Sequence, residues 1–68
     1  MLDKELLVEK LKIKGFTLES FASELGVNYT TLYRKLNGDS EFTRPEIKLA
    51  KRVLNLNNSD VDAIFFSD

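Results

Sequence analysis

Between Tyr29 and Leu36 the chain reads Tyr-Thr-Thr-Leu-Tyr-Arg-Lys-Leu, a mix of leucines and side chains with hydrogen-bonding tips. Leu32 and Leu36 stand one helical turn apart and so share a face. Tyr29, Thr30, Tyr33 and Arg34 then fall on the opposite, exposed face. The Arg34 guanidinium offers two parallel N–H donors, which match a pair of coplanar acceptors such as guanine O6 and N7. Thr30 is short and brings a hydroxyl and a methyl to a base edge. Tyr29 and Tyr33 combine a ring, suited to a sugar or a methyl, with a hydroxyl that donates to phosphate. Asn28, just ahead of them, opens the same face.

Such a set works only if one helix holds it out, and the flanking residues supply that helix. The segment Thr17–Gly38, TLESFASELGVNYTTLYRKLNG, predicts two short helices joined by a tight turn at Gly26. Thr17 caps the first, roughly Leu18–Leu25, whose apolar face is Leu18, Phe21, Ala22 and Leu25. Asn28 caps the second, roughly Tyr29–Leu36. Ala22 is small enough for a close helix crossing, and Gly26 accepts the positive φ of the turn. This is the pattern of a DNA-binding helix-turn-helix, whose second helix enters the major groove. In that setting Thr17 lies at a helix N-terminus suited to a phosphate. Lys35, Asn37 and Arg44 surround the following loop, where backbone contacts fall.

Around this pair the pattern predicts three more helices and no strand, an all-α fold of five helices in a single domain spanning 1–68. The first runs from Leu2 or Asp3 to Lys14, with Leu7, Val8 and Leu11 toward the core, and stops at Gly15. Asn37-Gly38 closes the third. The fourth opens on Thr43-Arg44-Pro45-Glu46, a capping box with proline in the first turn. Ile47, Leu49, Ala50, Val53 and Leu54 are its apolar residues. Asn57-Asn58 breaks the chain, Ser59 caps, and Asp60–Phe66 forms the fifth helix. Phe16, Phe21, Phe42 and Phe65 are assigned to the core.

The chain has 68 residues, 43% of them hydrophobic and 31% charged, which suits a small folded domain with a thin core rather than a disordered segment. It has no cysteine and no histidine. Disulfides and the usual zinc modules are thereby excluded, and no cofactor is expected. No phosphate-binding loop or convergent carboxylate pair points to an enzyme, and no small-molecule ligand is evident. No apolar run would cross a membrane, and the first residues carry too many charges for a signal peptide. A cytoplasmic setting is the expectation. The net charge is −1, but it is unevenly spread: +3 over residues 28–52, −3 over residues 53–68 and −1 over residues 1–27. A basic middle fits one nucleic-acid-facing side.

The segment Leu32-Tyr33-Arg34-Lys35-Leu36-Asn37-Gly38, with Ser40-Glu41-Phe42-Thr43 after it, resembles the Cro/C1-type (lambda-repressor-like) helix-turn-helix family. The same residues look like those of prophage repressors of Gram-positive bacteria. The resemblance runs from about Leu7 to Phe66. It implies that Tyr29, Thr30 and Arg34 contact bases and that Thr17, Asn37 and Arg44 contact phosphates. One position departs: Lys35 stands where the family usually has an apolar residue, and Leu36 is apolar instead.

The expected function is sequence-specific DNA binding by a repressor that occupies a duplex operator. A domain this small binds weakly alone, so a homodimer on two half-sites is the expected assembly. With no second domain in the sequence, its surface would come from Ile64, Phe65 and Phe66, or from Leu2, Leu6 and Ile13. A rival reading is a protein-interaction module, antitoxin-like or a phage adaptor, that keeps the fold but binds a protein. Plainer readings stand beside individual residues. Tyr33 suits half-buried packing, Arg34 and Lys35 suit solvated helix-end charges, and Lys48, Lys51 and Arg52 suit a solvated face.

Overall fold

The computed structural model describes residues 1–67, which form α1 (Lys4–Ile13), α2 (Leu18–Leu25), α3 (Tyr29–Leu36), α4 (Arg44–Val53) and α5 (Asn58–Phe65), with no strand among them. Each helix starts at a side chain that accepts one of its unpaired N–H groups. Asp3 does this for α1, Thr17 for α2, Asn28 for α3 and Thr43 for α4. At α5 the cap is Asn57 rather than Ser59. Its Oδ1 accepts from the Asp60 N–H at 2.7 Å, and the Asp60 carboxylate accepts from the Asn57 N–H at 3.3 Å. The dipeptide expected only to break the chain therefore begins the helix. Asp68, counted in the acidic tail, lies outside the described residues.

The C-terminal ends of α1 to α4 are closed alike. Beyond α2, the Val27 N–H donates to the Ala22 carbonyl at 3.0 Å, with Gly26 between them at φ 75°. Equivalent bonds run from Phe16 to Leu11, from Asp39 to Arg34 and from Leu56 to Lys51. They satisfy carbonyls that the helices leave free.

One core gathers side chains from all five helices, including Leu7, Phe21, Leu32, Ala50 and Ile64, each fully buried. α2 packs on α3 and α4, while α5 packs on α1 and α4. Phe21 and Phe65 are buried, and Phe16 and Phe42 are partly buried against the core. Val8 is not part of it. It borders a shallow groove on the outer side of α1 with Lys4, Glu5, Glu9 and Lys12. Successive residues of a helix point about 100° apart, so Leu7 and Leu11 turn inward and Leu6, on their other side, widens the packed stripe. The Asp3 N–H donates to the Ile64 carbonyl at 2.7 Å, which ties the start of α1 to the end of α5. Among the described residues no helix is long and apolar enough to cross a membrane.

Candidate nucleic-acid interface

The turn between α2 and α3 sets the site. Gly26 is left-handed, and a Cβ built there would meet nothing within 4 Å. Glycine is therefore selected by the dihedral and not by space. Ala22 is buried beside Phe21 on the inner face of α2. After the turn, α3 buries Leu32, Lys35 and Leu36. Tyr29, Thr30, Tyr33 and Arg34 all remain exposed, the two tyrosines at 46% and 48%. Their rings stack with centroids 6.2 Å apart. The Tyr33 ring thus leans on Tyr29 at the surface rather than filling the interior. Asn28 accepts from the Thr31 N–H at 2.7 Å through Oδ1, which leaves its Nδ2 to donate outward.

Lys35 requires a correction. It is buried, with 7% exposure, and its Nζ lies 2.9 Å from Glu46 Oε1 and donates to the Glu41 carbonyl at 2.9 Å. It also sits 5.8 Å from the centre of the Phe42 ring. Its position three residues after Leu32 and one before Leu36 puts it on the inner face of the helix. The aliphatic stem fills the place of an apolar side chain and delivers the ammonium to fixed acceptors. It has no reach toward a ligand on the outer face of α3. Burial alone would raise the Glu46 carboxyl. The Thr43 N–H, the Lys35 ammonium and the Thr43 hydroxyl outweigh it and hold the group below its ordinary value.

The other expected contacts divide. Thr17 is exposed, but its N–H is taken by Ser20 Oγ at 2.9 Å and its Oγ1 accepts from the Ser20 N–H at 3.0 Å. What it offers outward is the hydroxyl proton. The Glu19 carboxylate in the same turn weakens the pull of this helix end on an anion. Arg44 is exposed at the first position of α4. Among the described residues no hydrogen bond or ion pair links Thr17 or Arg44 to the side chains of α3. Asn37 is exposed at the end of α3 and accepts from Lys4 Nζ at 3.1 Å. Lys4 also lies 5.9 Å from the centre of the Tyr33 ring. Sequence reasoning missed Lys4, because only the packing of α1 brings it to α3 across 33 positions.

The surfaces expected for self-association also change. Ile64 and Phe65 are buried. Phe66 is exposed at 59% and borders a groove with Met1, Leu2, Phe42 and Ile47. Leu2, ahead of α1, and Leu6 within it are half-buried against the core, and only Ile13 stands clear of it. Lys51 donates to Asn58 Oδ1, while Lys48 and Arg52 are exposed on α4. Set against family models, curated proteins and solved structures, the chain matches none of them.

Proposed function

We propose that the chain is a sequence-specific DNA-binding regulator of the Cro/C1-type helix-turn-helix kind, a phage or prophage repressor that acts by occupying its operator. One observation carries this reading. Directly after the left-handed turn at Gly26, α3 turns Leu32, Lys35 and Leu36 inward and holds Tyr29, Thr30, Tyr33 and Arg34 outward. A short helix presented in this way fits the major groove, with Arg34 on guanine and Thr30 on a neighbouring base edge. Asn28, Thr17, Asn37 and Arg44 would position the domain on the backbone. Lys35 is left out of the contact set. Its role is to hold α3 against α4 and the loop before it. Pairing on the DNA through the exposed Phe66 would raise the affinity of a small domain.

The groove beside Phe66 favours a second reading, in which the domain binds a protein through this apolar edge. Fluorescence anisotropy with a labelled mixed-sequence duplex at low salt separates the two. Binding that weakens steeply as salt rises supports DNA. No binding at low salt overturns the DNA reading and leaves the protein partner.

A further inference from the structure

We infer that Lys4 and Asn37 form a phosphodiester-binding pair at the C-terminal edge of α3, an inference that rests on the DNA-binding reading above. The two residues come from different ends of the fold, one in the first turn of α1 and the other capping α3. An ammonium has only donors, so the atom of Asn37 that it meets at 3.1 Å is the carbonyl oxygen. That contact leaves both Nδ2 protons of Asn37 and the remaining ammonium protons of Lys4 for another acceptor. The Tyr33 ring, 5.9 Å from Nζ, steadies the charge without neutralising it. Two of the other lysines, Lys10 and Lys35, are held by carboxylates. Lys10 lies 3.7 Å from an Asp60 oxygen, and Lys35 is paired with Glu46. Among the described residues no carboxylate is within ion-pairing distance of Lys4. Its partners are neutral and belong to the outward-facing cluster, so its charge stays available to an anion beside that cluster. The phosphate oxygen of a duplex lying along α3 is an anion of that kind, and it accepts from both side chains at once.

The test compares the wild-type chain and Lys4→Ala, binding a labelled mixed-sequence duplex across a salt series, with thermal melting of each. Lys14→Ala, at the far end of α1, makes the same change in net charge. For Lys4→Ala the slope of log affinity against log salt should fall by about 0.9. The wild-type advantage should then shrink by about 3.5-fold between about 50 and 200 mM salt, with melting unchanged. Lys4→Arg should keep the wild-type slope, and Asn37→Ala should weaken binding with little change in slope. An unchanged slope in Lys4→Ala, while the wild type binds, overturns the inference and leaves the DNA reading standing. So does an equal loss in Lys14→Ala, which would reveal a general charge effect, or a fall in melting with the slope intact, which would reveal a tether between α1 and α3. A wild type that binds no duplex overturns both.

Discussion

The Lys35 ammonium lies 2.9 Å from Glu46 Oε1, and that oxygen also accepts from the Thr43 N–H at 2.8 Å. One carboxylate thus opens α4 and fastens it to the last turn of α3. The same ammonium donates to the Glu41 carbonyl, so the loop between the two helices is held as well. The helix that presents Arg34 is therefore fixed from behind by a charge pair as well as by leucines.

Removing one member of this pair should cost more than removing its charge alone. Lys35→Ala leaves a cavity, the Glu41 carbonyl without its donor and the Glu46 carboxylate without its countercharge, at about 1–3 kcal/mol. Lys35→Met keeps the stem volume and should cost clearly less. Because the Glu46 carboxyl is held below its ordinary value in the folded protein, it stabilises the fold at neutral pH. That contribution is complete above the unfolded value and is lost as pH falls through the lower folded one. Melting followed between about pH 6 and pH 3 should show a shallower acid decline in Glu46→Gln than in the wild type. Identical declines would remove Glu46 from the account.

Gly26 and Ala22 control how α3 leaves α2. At φ 75° with open space around a Cβ, Gly26→Ala should cost about 1–2 kcal/mol from the dihedral alone. Gly26→Val should cost more, because a branched side chain resists that region. Ala22→Leu should overpack a buried position at about 1–3 kcal/mol. Denaturant unfolding checks all three. A neutral Gly26→Val would mean that the turn is not under this constraint.

Arg34 and Arg44 should separate by the kind of loss they cause. Arg34→Ala should cost about 1–3 kcal/mol on a selected site and much less on random duplex. Arg44→Ala should weaken both equally and lower the salt slope by about one. Equal losses at Arg34 on both duplexes would reassign it to the backbone. Thr17→Ala needs melting beside binding, because a lost N-cap alone costs about 0.5–2 kcal/mol.

Phe66 is exposed, so Phe66→Ser should leave melting nearly unchanged. If pairing uses it, cooperative binding to a two-half-site duplex should drop while single-half-site binding stays the same. One protein per two-site duplex at saturation, measured by sedimentation, would end the paired model.

Helix starts and the Gly26 turn were readable because caps and left-handed residues are local signals. Thr17, Asn28 and Thr43 each bond within three residues of their own position. The Asn57 cap is not legible in the sequence, because Ser59 offers similar chemistry two residues later and the fold decides which N–H is met. Lys35 was misplaced for a different reason. A lysine on a helix signals solvent by residue type, whereas its spacing from Leu32 signals the interior, and the spacing decided. Two distant contacts, Lys4 with Asn37 and Asp3 with Ile64, depend on how the helices assemble and leave no mark in the sequence pattern.

If the chain binds DNA as proposed, the outer face of α3 meets the duplex. Titrating isotope-labelled protein with a short duplex and following amide shifts by NMR tests it residue by residue. The largest changes should fall at Asn28, Tyr29, Thr30, Tyr33 and Arg34, smaller ones at Thr17, Asn37 and Arg44, and little at Lys14. Changes confined to Leu2, Phe42 and Phe66, or none at all at low salt, would overturn it.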